Sequence, residues 1–356
     1  MSRYNQIVAP DFIHALPKAE LHLHLEGTLE PPTLAELSRR HVAAAPFPGN
    51  RYQQPANGLQ ELSEEAVREL YRYQDFQGFL MAFKAVTERL RSPEDYELVT
   101  YKLMERLRAQ NVRHAEVYVS VGVVHWRGQE FAPLFEGMER GRGRGEKDFG
   151  VSLLWLFDAV RNFGVEAAER VLQETISLRK QSESVIGFGI GGDELRGPAE
   201  LFRQVFSSAR EHGLRLTAHA GENAGPESIW AALNIGAERI GHGLNAAADS
   251  ELMAVLTERQ VPIEICVTSN LRTLCCPALE MHPLRNYFER GLMITLNSDD
   301  PAMFGSSLLD EYRLAQQHFE FSDEQLRELA RNSFEASFLP AGKKLKFLDE
   351  IDSLQT

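Results

Sequence analysis

Short β-rich runs bounded by turn formers recur along this chain, and most are separated by longer stretches whose apolar residues follow helical spacing. The predicted strands are Glu20–Leu25, Arg113–Val119, Val151–Phe157, Val185–Gly189, Arg215–His219, Arg239–His242, Pro262–Val267 and Met293–Asn297. The predicted helices between them include Pro93–Gln110, Gly164–Lys180, Pro198–His212, Pro226–Leu233, Asp249–Arg259 and Leu284–Arg290. Strand-then-helix alternation implies a parallel sheet with right-handed crossovers. Eight repeats of it predict an α/β fold, a (β/α)8 TIM-type barrel. An open doubly wound sheet is the rival. No Gly-x-Gly-x-x-Gly follows the first strand, the run Phe188–Asp193 does not supply one, and no Walker loop occurs. Nor is there a repeat at the period of roughly 20–50 residues that marks solenoids.

Residues 28–92 are too long for one barrel helix. They hold Pro46–Pro55, rich in turn formers, and a stretch in which Phe76, Phe79, Leu80, Phe83, Val86 and Leu90 recur at helical spacing. Periodicity allows two readings: a stripe that packs on the barrel, or an aromatic roof over an active site. The expected organisation is one barrel domain over 1–356, with 28–92 a helical insertion after the first strand and over the site.

The predicted strands are polar where they end. In Glu20-Leu21-His22-Leu23-His24-Leu25-Glu26-Gly27, strand alternation puts His22 and His24 on one face and the leucines on the other. Their Cα atoms then lie roughly 6–7 Å apart, so two imidazoles can converge on one cation. Later strands run into His219-Ala220-Gly221-Glu222, Gly241-His242-Gly243 and Asn297-Ser298-Asp299-Asp300-Pro301. Each has an ordinary explanation as a core histidine or a helix cap. Such explanations scatter along strands, whereas these residues gather at the C-terminal ends, where barrels of this kind do chemistry. Three imidazoles and a carboxylate (His22, His24, His219 and Asp299) suit a divalent borderline cation, zinc first. Glu222 falls just beyond its strand, within reach of substrate, and His242 is a candidate base for the attacking water. Asp300 diverges from its neighbour and is free for a hydrogen bond. The chemistry implied is metal-assisted hydrolysis. Neither His-Glu-x-x-His nor the His-x-Glu…Pro-Cys-x-x-Cys pattern of cytidine-type deaminases occurs.

Composition narrows the setting. The 356 residues carry 51 acidic against 38 basic side chains, a formal charge of −13, which disfavours a grip on nucleic-acid phosphates. The one basic cluster, Arg140-Gly141-Arg142-Gly143-Arg144-Gly145, is followed by Glu146 and Asp148 and reads as a solvated loop. Three cysteines, Cys266, Cys275 and Cys276, make no disulfide framework and fit a reducing compartment as buried or loop thiols. Met1–Asp11 lacks an apolar signal core, and no run approaches the ~20 apolar residues of a membrane span. A cytoplasmic location, no membrane partner and no nucleic acid are expected. The oligomeric state is left open.

On these residues the chain resembles the adenosine deaminase family of the amidohydrolase superfamily. The resemblance rests on 16–28 (Leu-Pro-Lys-Ala-Glu-Leu-His-Leu-His-Leu-Glu-Gly-Thr), Gly192-Asp193-Glu194, His219-Ala220-Gly221-Glu222, Arg239-Ile240-Gly241-His242-Gly243, Thr268-Ser269-Asn270 and Ser298-Asp299-Asp300-Pro301, in family order over about 14–335. It implies one zinc ion per chain on His22, His24, His219 and Asp299. It implies Glu222 as proton donor to purine N1, His242 at the attacking water, Asp300 toward N7 and the Gly192 N–H at N3. Pocket residues would come from Phe76, Phe79, Leu80 and Phe83. The implied substrate is a small-molecule 6-aminopurine nucleoside, converted to the 6-oxopurine and ammonia. Glu26 stands where nucleoside-specific members usually carry a ribose-contacting aspartate, and Leu25–Glu30 also looks like the adenine deaminase branch. Against that branch, Gly241 precedes His242 where adenine deaminases typically place aspartate. The runs Trp155–Arg161 and Gly189–Glu194 resemble members acting on 6-amino-6-deoxyfutalosine. Adenine deaminase is the alternative within enzymes; a catalytically silent zinc-containing binding protein is the alternative outside them.

Overall fold

The computed structural model describes residues 11–45, 47, 58–73 and 76–354. Eight parallel strands form one sheet in sequential order: β1 Lys18–His24, β2 Val112–Val119, β3 Ser152–Val160, β4 Val185–Gly191, β5 Arg215–Ala220, β6 Arg239–His242, β7 Ile263–Ile265 and β8 Ile294–Leu296. Helices fill the crossovers, and the fold is the expected (β/α)8 barrel. The eight sequence-predicted strands all form, with shifted ends. Leu25 leaves β1 for a 3-10 turn over Leu25–Thr28, while β3 runs on to Val160. The stretch Pro198–His212 divides into a 3-10 turn, Ala199–Phe202, and the helix Arg203–Glu211.

Closure between β8 and β1 is sparse. A single bridge pairs Leu23 with Asp299, through His24 N–H to the Asp299 carbonyl at 2.9 Å and Asp299 N–H to the His22 carbonyl at 3.1 Å. The Asn297 side chain supplies what the ladder lacks. Its Oδ1 accepts the N–H groups of Leu21 at 2.8 Å and His22 at 3.1 Å. Asn297 is buried, so those two donors have no water to turn to.

Strand alternation sorts the two sides of the barrel. Leu21, Leu23, Val117, Val119, Leu153 and Phe157 join the apolar layer under the helices. Tyr118, Leu156 and Phe338 form a small separate cluster. Around Arg239 runs a charged network, because its Nε donates to Glu264 at 2.6 Å and its Nη1 to Glu116, all three side chains being buried.

The Arg/Gly run corrects the sequence reading. Residues 140–145 are not a loop; they lie inside the helix Phe131–Phe149. Gly137, Gly141 and Gly145 fall four apart on one buried face against the helix Pro93–Ala109. A Cβ on Gly141 would stand 2.5 Å from the Glu97 carbonyl oxygen. Close approach of two helices therefore uses glycines that composition alone assigns to a loop, and Arg140 and Arg144 span the seam to Glu97 at 2.8 and 2.6 Å. Between β1 and β2 lie the helices Pro31–Arg40, Glu64–Leu70 and Phe76–Thr87, followed by Pro93–Ala109. The turn-rich stretch Pro46–Pro55 falls, apart from Phe47, outside the described residues. Among the described residues no helix is long and apolar enough to cross a membrane.

Candidate active site

The polar strand ends meet at the C-terminal mouth of the barrel. β1 presents His22 and His24 inward, β5 presents His219, and Asp299 follows β8. His24 Nε2 lies 3.1 Å from His219 Nε2, and Asp299 Oδ1 lies 3.5 Å from His22 Nε2 and 3.4 Å from His24 Nε2. The ligand atoms of His22, His24 and His219 all lie within 4.8 Å of one another. Ligand nitrogens on the edge of a tetrahedron with metal bonds of ~2.0–2.1 Å would be roughly 3.3 Å apart. Buried His22 Nε2 has no hydrogen-bond partner, an orphan that a cation on this face would satisfy. The outer nitrogens are already occupied: His22 Nδ1 meets Glu264 at 2.7 Å and His219 Nδ1 meets the Ile190 carbonyl at 3.2 Å. That leaves the inward nitrogens as lone pairs, the arrangement metal-binding histidines need. The donor set fits a divalent cation.

His242 and Asp299 adopt positive φ, 64° and 62°, in the left-handed region that non-glycine residues avoid. Backbone strain at both strand exits turns their side chains into the site. Asn270 Nδ2 lies 3.2 Å from His242 Nδ1, and the Ser269 hydroxyl donates to Asp299 Oδ2 at 2.6 Å. Glu222 Oε2 lies 3.7 Å from His242 Nε2. Burial, against the attraction of His242 and with the repulsion of Asp299, pushes the Glu222 carboxyl above the usual carboxylate range.

A cavity of about 540 Å3 opens above these groups. His24, His219, Glu222, His242, Asp299, Asp300 and Gly192 line it, as do Phe79, Leu80 and Phe83 of the helix Phe76–Thr87. Phe79 stacks on Phe304, ring centroids 5.1 Å apart. Phe76 opens the same helix, but its side chain lies outside the described residues. Glu26 is not among the lining side chains. Its buried Oε1 accepts the Ser120 N–H at 2.9 Å, and Ser120 lines the cavity.

Several site residues had no role assigned from the sequence. Glu264 carries no motif, and only strand register puts it behind His22. Asp158, in β3, lines the cavity with Oδ1 unpartnered, and burial pushes its carboxyl up to about 8. Ser269 and Asn270 were visible as a motif without a role.

An eight-stranded barrel with a histidine-rich cation cradle beside an acid and an imidazole defines an amidohydrolase-type enzyme. The chain belongs to the adenosine deaminase family, whose family model matches residues 17–354. It is 37% identical over 343 residues to an aminodeoxyfutalosine deaminase of Streptomyces avermitilis, covering 96% of this chain and 92% of the relative. The crystal structure of an adenine deaminase from Arthrobacter aurescens is similar with a TM-score of 0.85 at 32% identity, covering 95% of this chain and 98% of that one. An amidohydrolase from Burkholderia ambifaria with bound zinc superposes with a TM-score of 0.84 at 26% identity, covering 99% and 96%. The chain is a hydrolytic deaminase.

Proposed function

We propose that this enzyme deaminates C6 of an adenosine-type 6-aminopurine nucleoside with a bulky N9 substituent, 6-amino-6-deoxyfutalosine first among them. The observation that carries the reading is the cavity. At about 540 Å3 it lies within the roughly 300–1,000 Å3 of drug-sized ligand sites and exceeds what a bare purine fills. Its lining joins apolar side chains, Phe79, Leu80, Phe83, Val123 and Phe163, with polar ones, Asn162 and Arg196, which suits a substituent beyond the base that is part apolar and part polar. The relative named for aminodeoxyfutalosine supports the same choice.

His22, His24, His219 and Asp299 would hold one zinc ion, in keeping with the zinc-bound neighbour. Bound there, zinc supplies Lewis acidity and makes water a competent nucleophile near neutral pH. The chain's own residues do the rest. Glu222 gives its proton to purine N1, which draws electron density from C6. His242 takes a proton from the attacking water as its oxygen bonds to C6. Asp300 hydrogen-bonds on the N7 side and the Gly192 N–H meets N3, which fixes the ring. Glu26 fixes the Ser120 edge of the pocket. His242 passes its proton to the C6 amino group, and the C6–N bond breaks with its electron pair leaving on ammonia. The C6 hydroxyl returns a proton to Glu222 as the carbonyl forms, and the 6-oxopurine keeps the proton on N1.

Adenine deaminase is the second reading, favoured by the Arthrobacter aurescens structure. One assay separates them: ammonia release from adenosine, 2′-deoxyadenosine, adenine and 6-amino-6-deoxyfutalosine, each with and without chelator. Chelator-sensitive turnover highest on 6-amino-6-deoxyfutalosine is expected. Preference for free adenine would replace the reading with the second one, and silence on all four would end it.

A further inference from the structure

One buried carboxylate stands behind the acid and has no part in the steps above. Glu194 follows β4 by three residues and is 4% exposed. Its Oε2 accepts the Gly221 N–H at 2.7 Å, while its Oε1 accepts the N–H groups of Glu222 at 2.9 Å and Asn223 at 3.0 Å. The Ser228 hydroxyl donates to the same carboxylate. Three consecutive amides of the turn after β5 thus point at one side chain from the exit of another strand. Gly221, at φ 70°, supplies the left-handed step that lets successive N–H groups converge as an anion nest. Hydrogen bonds to an ionised acceptor are the stronger kind, so the turn has little freedom. Arg161 braces the same two exits, donating from Nη1 to the Gly197 carbonyl at 3.1 Å and from Nη2 to the His219 carbonyl.

We propose that Glu194 is a positioning residue for the deamination: it clamps the Gly221–Asn223 turn so that the Glu222 carboxyl faces the cavity beside His242. The clamp comes from the loop that also carries Gly192, so the wall that would meet the purine and the group that protonates it are held as one unit. The inference rests on the role given to Glu222 above.

The test compares wild type with Glu194→Gln, which keeps shape but replaces one accepting oxygen by an amino group. On the preferred aminopurine, kcat should fall about 10- to 100-fold, the range seen when support behind a site group is lost. KM and zinc content should stay near wild type. Hydrogen–deuterium exchange at the Gly221–Asn223 amides should speed up, a local change that a general loss of stability would not confine to this turn. Unchanged kcat, a rise in KM alone, or unchanged exchange at those amides would overturn the role. Should Glu194→Gln not fold, Ser228→Ala removes one donor to the carboxylate and leaves the backbone alone. A smaller fall in kcat at constant KM is then expected, and wild-type kcat overturns the proposal. Wild-type protein silent on every 6-aminopurine sinks the function and this role together. An active wild type with an equally active Glu194→Gln sinks this role alone.

Discussion

Single side chains divide the site into binding and chemistry, and substitutions should separate the two. Glu222 stands outside the proposed donor set, so Glu222→Gln should keep the bound metal while turnover falls by about 10²–10⁴-fold, the usual worth of a positioned acid. Metal analysis alongside ammonia release checks both halves; normal activity would remove the proposed mechanism. His219→Ala should instead lose metal and activity together, since His219 Nε2 sits 3.1 Å from His24 Nε2 at the heart of the cradle. The pH profile carries a further mark of Glu222. Burial raises its carboxyl above the ordinary range, and the protonated form is the one that can donate. Activity should therefore hold at lower pH and fall as pH climbs through that raised value, and Glu222→Gln should lack this basic limb. A limb of the same shape in the variant would assign it to another group.

At the scale of elements, the helix Phe76–Thr87 and the helix Phe131–Phe149 show how one pattern can hide two jobs. In the first, Phe79 and Phe83 line the cavity while Val86 is fully buried beneath it, so the apolar stripe both packs and faces the site. Phe79→Ala should raise KM for a nucleoside substrate about tenfold, as loss of apolar contact does, with metal content unchanged. An unaltered KM would place the substrate elsewhere in the cavity. In the second helix, glycines make contact rather than freedom. Gly141→Leu must push the helix off the Glu97 carbonyl and should lower stability by about 1–3 kcal/mol, read as a shifted urea midpoint. An unshifted midpoint would mean that the seam is slack. The loop expected at 140–145 came from composition; the helix comes from a partner whose backbone only glycine lets in.

For the whole molecule, closure is the weak seam and sits beside the chemistry. Asn297→Ala leaves two buried N–H groups of β1 without an acceptor, and each stranded donor costs about 1–3 kcal/mol. A loss of roughly 2–6 kcal/mol by chemical denaturation, with weakened metal retention because His22 rides on that strand, is the expected result. Wild-type stability would show that the Leu23–Asp299 bridge closes the barrel unaided. Much of this was legible beforehand. Strand–helix alternation announced the barrel, and polar residues at strand ends announced the site, because both signals are local and periodic. The sequence by itself picked out the residues proposed to carry the chemistry: His22, His24, His219, Glu222, His242 and Asp299 stand in fixed order at the ends of predictable strands. Only the tertiary structure decided what holds them. Glu264 behind His22, Glu194 beneath the Glu222 turn and Asn297 across the seam act between segments as many as 276 residues apart, as in the bond from the Leu21 N–H to Asn297 Oδ1. Asn297 and Glu194 stand in recognisable motifs, but their partners depend on register and closure, which are set by packing the whole chain and are not written at any one position.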